Sequence, residues 1–194
     1  MMIQSISQFI LRVMGWQTIS TIPPLEKYVL VGAPHTTNWD FPLTLLALSS
    51  LGVKFNWVAK HTLFWWPLGL FLKAIGGISV DRSGGMAFLK QAIELYKDRD
   101  KLILAIAPEG TRSRTSHWKS GFYVIARMAN VPIVLGSIDY PTKQITIGMA
   151  LMPSGNIEKD FKRIREFYRG KKGKYPEKQG EVRLKKTSQH GNNK

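Results

Sequence analysis

The sequence predicts an α/β fold, a largely parallel central sheet flanked by helices. Three observations carry that prediction. Short β-rich apolar runs alternate with stretches of helical period, the pattern of strands joined by crossover helices. The runs YVLVGA (28–33) and KLILAIA (101–107) are apolar enough to be strands buried on both faces. The hydrophobic fraction of 44% in 194 residues supports a core in a chain of single-domain length.

The elements follow in order. Ile3, Ile6, Ile10, Val13 and Met14 recur at helical spacing within an N-terminal segment, 1–27. That helix has two readings, packed on the core or lying in a membrane interface. YVLVGA is the first buried strand. A helix is expected over 41–51, with Asp40 as N-cap and Pro42 in its first turn, where a missing N–H does no harm. A strand over 53–59 precedes a short helix over 65–76, ended by Gly76 and Gly77. Residues 77–80 form a strand, 85–98 an amphipathic helix, and 101–107 the clearest strand. A helix over 120–130, a strand over 131–138, a strand nearer an edge over 144–151 and a helix over 156–170 complete the domain, 28–170. From Lys171 the chain turns Lys/Gly/Gln-rich, and 171–194 is expected to be a basic disordered tail. No internal repeat is visible.

The net charge is +15, and residues 159–194 hold 13 basic against 4 acidic side chains. Such a chain suits an anionic partner: nucleic acid, an anionic membrane or a phosphorylated substrate. A nucleic-acid-binding module is therefore one alternative. Against it, no RNP, KH or zinc-finger pattern is present, and the basic residues gather in the tail. Cysteine is absent, which removes disulfides, thiolate metal sites and thiol nucleophiles. No apolar run reaches 18 residues; the longest, LFWWPLGLFL (63–72), is too short to span a bilayer. The N-terminus lacks the basic start and small-residue cleavage site of a signal peptide.

Three polar clusters each follow a short apolar strand: Pro34 to Asp40, Asp81 to Ser83, and Pro108 to Ser113. In open α/β sheets ligands bind beyond the carboxyl ends of parallel strands, so the three should converge on one edge. His35 and Asp40 are five residues apart, about 140° around a continuous helix, and cannot share a helical face. They can meet if His35 lies in the loop and Asp40 in the first helical turn. The carboxylate would then hold one imidazole nitrogen and raise the basicity of the other. The bland alternative is a capping Asp beside an incidental His. No G-x-S-x-G elbow and no cysteine supply a nucleophile, so a base here would act on a substrate hydroxyl. Arg112 and Arg82 are candidate phosphate ligands, Glu109 a candidate acceptor for a substrate hydroxyl, and Gly110 brings a free backbone N–H beside the Thr111 hydroxyl. A surface turn with a salt bridge is the plainer account of PEGTRS alone.

Taken together, these residues resemble the glycerolipid acyltransferase family, the HxxxxD acyltransferases typified by 1-acylglycerol-3-phosphate acyltransferase. His35 to Asp40 matches the first block, GGISVDRS (76–83) the second, PEGTRS (108–113) the third and VPIVL (131–135) the fourth. The segments VAKHTLFWWPLGLFLKAIGG and WKSGFYVIA also resemble family features. The resemblance runs from about Tyr28 to Leu135. It implies an O-acyltransferase that moves a fatty acyl group from acyl-CoA or acyl carrier protein to a lysophospholipid hydroxyl, 1-acylglycerol 3-phosphate foremost. His35 would be the general base and Asp40 its orienting partner. Arg82 and Arg112 would hold the acceptor phosphate. Glu109, Gly110 and Thr111 would shape the acceptor site, with the Gly110 amide an oxyanion donor. No metal or bound cofactor is implied. The partners would be a lysolipid, the acyl donor and an anionic membrane surface, with the protein peripheral on the cytoplasmic side. Pro34, Thr37 and Ala107 depart from the common family pattern, which leaves another lysolipid, a lyso-aminolipid included, open as acceptor. A thioesterase passing the acyl group to water is a further alternative.

Overall fold

Alternate residues of KYVLVGA serve two different cores. Tyr28 and Leu30 pack to one side with Leu48, Ile103, Val134 and Ile147, while Val29, Val31 and Ala33 pack to the other with Leu104, Phe122, Ile133 and Leu135. A strand whose side chains alternate between two apolar layers must lie inside a sheet covered on both faces. The computed structural model, which describes residues 2–21, 24–80 and 85–185, shows that arrangement.

Seven strands form one sheet: β1 (Gln17–Ser20), β2 (Lys27–Ala33), β3 (Asn56–Lys60), β4 (Gly77–Val80), β5 (Leu102–Ile106), β6 (Ile133–Asp139) and β7 (Gln144–Leu151). Their order is β1-β7-β6-β2-β5-β3-β4. From β6 to β4 every pairing is parallel; β7 runs antiparallel to β6, and β1 lies parallel to β7. The carboxyl ends of β2, β3, β4, β5 and β6 therefore share one edge. Helices α1 (Met2–Val13) and α2 (Asp40–Ser50) cover one face through Leu11, Leu43, Ala47 and Leu48. Helices α4 (Gly85–Asp98), α5 (Gly121–Met128) and α6 (Ile157–Tyr168) cover the other through Ala92, Tyr96, Phe122, Ile125, Phe161 and Ile164. Each fully buried leucine, isoleucine or phenylalanine among them contributes about 1.5–3 kcal/mol of transfer free energy. Helix α3 (Leu68–Ala74) leads into β4.

Three features differ from the sequence reading, and a fourth decides against one of its two alternatives. The N-terminal segment is not helical throughout: α1 stops at Val13, and Gln17–Ser20 adds to the sheet beside β7 in place of leaving β7 near the edge. Its β-branched Thr18 and Ile19 favour that extended pairing. The helix expected over 65–76 begins only at Leu68, preceded by a single 3₁₀ turn at His61–Leu63. The apolar stripe of α1 is not in the core; Ile3, Phe9 and Val13 are 67–71% exposed, and the helix instead buries Ser7 and Leu11 against α2. Gln8 Nε2 ties it down by donating to the Ser50 carbonyl at 3.0 Å.

The last difference concerns the basic tail. Of the tail expected to be disordered, residues 186–194 lie outside the described residues, and residues 171–185 are packed. They run back over the carboxyl edge of the sheet, where Tyr140 N–H donates to the Lys172 carbonyl (3.0 Å) and Trp118 N–H to the Arg183 carbonyl (2.8 Å). Lys172 N–H in turn donates to Asp139 Oδ1 at 2.9 Å. Composition argued for solvation, but backbone groups that find partners on a folded edge do not need it.

Candidate active site

The first polar cluster is a short loop from the end of β2 to the first turn of α2. Asp40 is the first residue of that helix and Pro42 sits in its first turn. The Asp40 side chain folds back over the loop. Its Oδ2 accepts Thr36 N–H at 2.8 Å and Thr37 N–H at 3.0 Å, and His35 Nδ1 lies 3.1 Å from the same oxygen. The N-cap expected at Asp40 falls instead on Trp39, which makes no side-chain cap bond; Asp40 turns its carboxylate away from the helix amides, and the bonds that satisfy the loop amides also hold the imidazole. A carboxylate only accepts, so the bond places the proton on Nδ1 and leaves Nε2 as the basic nitrogen. Asp40 is 3% exposed, while the His35 side chain keeps 21% of its surface open.

Strand register brings the other clusters alongside. Val31 lies opposite Ile106, so three residues further on Pro34 and Glu109 reach the same height. Glu109 Oε2 accepts His35 N–H at 2.7 Å, and the residue is 3% exposed. The sequence expectation was a carboxylate offered to a substrate hydroxyl. Here it is buried beneath the loop and holds His35 from the backbone side. Burial pushes its carboxyl up from 4.5 to about 7, against the lowering effect of the His35 N–H bond and the imidazole.

On the other side of β2, Ala33 lies opposite Ser137 in β6, which delivers Tyr140 to the site. Its hydroxyl donates to Asp40 Oδ1 at 2.8 Å, and its ring stands edge-on to Trp16. Burial, then the bond to Asp40, raises the Tyr140 pKa, so the phenol stays a donor at physiological pH. Sequence reasoning missed this residue. The signal was available, since Asp139 and Tyr140 are polar residues following an apolar strand, the rule that picked out the other three clusters.

The rest of PEGTRS differs from expectation in one respect. The Gly110 N–H is not free: it donates to the Ala107 carbonyl at 3.1 Å, closing a tight turn in which Gly110 takes φ +69°. It is therefore not an oxyanion donor in this conformation. The backbone constraint and the Lys119 side chain, 2.9 Å from where a Cβ would stand, explain the glycine. Thr111 and Arg112 are exposed on the same turn, and Thr111 Oγ1 accepts Ser113 N–H at 3.2 Å. Arg82 lies outside the described residues. His35, Asp40, Glu109, Gly110, Thr111 and Arg112 all occupy the shared carboxyl edge.

A basic imidazole nitrogen is thus fixed by a buried carboxylate beyond the ends of parallel strands. A model of the acyltransferase family matches residues 12–138, about two thirds of the chain. The chain belongs to that family. Among solved structures, this acyltransferase is similar to the crystal structure of the 1-acyl-sn-glycerophosphate (LPA) acyltransferase PlsC from Thermotoga maritima. The TM-score is 0.58 at 20% identity, with 89% of this chain and 80% of that chain covered. At that identity the likeness is one of fold. No curated protein matches the chain. The match takes in β2, β3, β4 and β5 and ends within β6 at residue 138, two residues before Tyr140.

Proposed function

We propose that this acyltransferase moves a fatty acyl group from a thioester donor, acyl-CoA or acyl carrier protein, to a lysophospholipid hydroxyl, with His35 as general base. One observation carries the reading. Asp40 fixes His35 through Nδ1, and Nε2 has no hydrogen-bond partner among the described residues. Nε2 takes the proton of the acceptor hydroxyl as that oxygen attacks the thioester carbonyl. The new C–O bond forms, the C–S bond breaks, and the imidazolium returns its proton to the departing thiolate. Asp40 stabilises the imidazolium meanwhile, and Tyr140 holds the carboxylate in place.

Arg112, on the exposed turn after β5, and Arg82, in the second cluster, are the proposed ligands of the acceptor phosphate. 1-Acylglycerol 3-phosphate is the foremost acceptor; the departures at Pro34, Thr37 and Ala107 keep another lysolipid, a lyso-aminolipid included, as the second reading. The protein meets its lipid at a bilayer surface. No helix among the described residues is long and apolar enough to cross a membrane. Support for docking comes from exposed Trp39, Trp65 and Trp66 at the catalytic edge, 58%, 60% and 79% accessible, and from the outward face of α1.

The test is to incubate pure protein with labelled acyl-CoA and a panel of lysolipids in vesicles, beside His35→Ala. Wild type acylates at least one acceptor, and the variant loses about 10²–10⁴-fold in rate. Unchanged transfer by His35→Ala removes the base assignment. Release of free fatty acid with no acylated lipid turns the reading to a thioesterase.

A further inference from the structure

Residues 171–179 carry four lysines and belong to none of the blocks that define the resemblance. This segment is fastened directly to the catalytic loop. Tyr175 N–H donates to Thr36 Oγ1 at 3.3 Å, joining it to the neighbour of His35. Gly173 lies so close that a Cβ there would stand 2.7 Å from Thr36 Oγ1 and 2.8 Å from its Cγ2. Lys172 is clamped between Asp139 and Tyr140. Gln179 closes the segment on itself, accepting Gly173 N–H at 3.1 Å and donating to the Lys171 carbonyl at 2.9 Å. The result is a constrained strap along the site.

Its cations are gathered. The Nζ atoms of Lys174 and Lys178 lie 5.8 and 4.5 Å from the centroid of the Tyr175 ring, hence within about 10 Å of each other. Cation–π attraction to a shared ring holds two like charges together on the strap. Elsewhere on the surface Lys97 and Lys101 are paired with Glu94 and Glu26. Among the described residues no carboxylate is paired with Lys171, Lys172, Lys174 or Lys178. The segment's one acidic residue, Glu177, forms no ion pair with them, and four lysines against one carboxylate beside a reaction site favour an anion between them.

We propose that the strap is a phosphate-binding wall of the acyltransferase site, with Lys174 and Lys178 as its ligands for a phosphate group of a substrate. The proposal rests on the acyl-transfer reading for the identity of that substrate. Two sources share the chemistry: the phosphomonoester of the acceptor and the phosphates of a CoA donor. Lysine meets either as a point charge, in a charge-assisted hydrogen bond.

The experiment compares wild type, Lys174→Gln/Lys178→Gln, and a control of equal charge, Lys159→Gln/Lys162→Gln, on the exposed side of α6. Equilibrium dialysis with inorganic pyrophosphate at low ionic strength reads the site directly. Wild type and control bind alike, and the strap variant binds about tenfold more weakly. Equal binding by all three overturns the proposal. Kinetics then assigns the source. A KM rise of about tenfold confined to phosphate-bearing acceptors, with kcat held, assigns the headgroup. A rise confined to acyl-CoA, absent with the same acyl group on N-acetylcysteamine, assigns the donor. A fall in kcat at constant KM shows a purely structural strap and also overturns the proposal. If wild type transfers no acyl group, the function reading fails while dialysis still decides the phosphate site.

Discussion

Replacing Glu109 with Gln should make the protein less sensitive to rising pH. The carboxyl is buried, and its pKa stands at about 7 against 4.5 for the ordinary group. At about 1.36 kcal/mol per pKa unit, that difference amounts to roughly 3 kcal/mol of coupling between folding and proton binding. The sign follows from proton counting. Below pH 4.5 folded and unfolded chains both hold the proton, and the folded state has its full stability. Between 4.5 and 7 the unfolded chain releases the proton and the folded chain retains it, so stability falls as pH rises. Above 7 both are ionised and the loss is complete. Gln keeps an oxygen to accept His35 N–H and has no proton to lose. Urea unfolding of wild type and Glu109→Gln at half-unit steps from pH 4.5 to 8 reads the effect. The variant should gain roughly 3 kcal/mol relative to wild type across that range, most of it between 5 and 7. A stability difference that stays flat with pH, or falls, would refute the argument that burial governs this carboxyl.

Two further outcomes follow from the same geometry. Tyr140→Phe leaves Asp40 Oδ1 without its 2.8 Å donor and should lower stability by about 1–3 kcal/mol in urea melts. Because a carboxylate that loses a donor attracts the imidazolium more strongly, the acid limb of the kcat/KM–pH profile should also shift upward; an unmoved limb would mean Tyr140 only fills space. For the membrane surface, Ile6→Asp/Phe9→Asp on the outward face of α1 should reduce sedimentation with sucrose-loaded vesicles of phosphatidylglycerol and phosphatidylethanolamine several-fold, leaving the thermal midpoint close to wild type. Equal sedimentation of the variant would remove α1 from the docking surface.

The parts of the site that were legible in the sequence are those governed by local rules. Pro42 marks a helix start, and that start is what allows His35 and Asp40 to meet across a turn. Apolar runs mark β2 and β5, and parallel pairing carries their following clusters to one edge. What was not legible depends on contacts between distant segments. PEGTRS shows a glutamate but not its direction; only the alignment of β5 beside β2 decides that it turns inward under His35. The Gly110 amide looks free until the turn closes on Ala107. Tyr140 becomes part of the site through the placement of β6 next to β2. Lys171 to Lys185 has the composition of a solvated tail, and its order comes from bonds to Asp139, Thr36 and Trp118 that no local pattern announces. The outward apolar face of α1 has the same helical period as a buried one, and period alone does not say which way it faces.

The hydrogen bond from Tyr175 to Thr36 joins residues 139 positions apart. On the ribosome, where the chain emerges from its N-terminus, this separation becomes a delay. His35 is among the first side chains of the site to be made. Its surroundings arrive later: Glu109, then Tyr140, then the strap at 173–175. At about 5–20 residues per second, seven seconds or more can separate the base from its last support. A nascent chain therefore carries the histidine long before it has the enclosure that aims it, and full seating of the base waits until Tyr175 has been made.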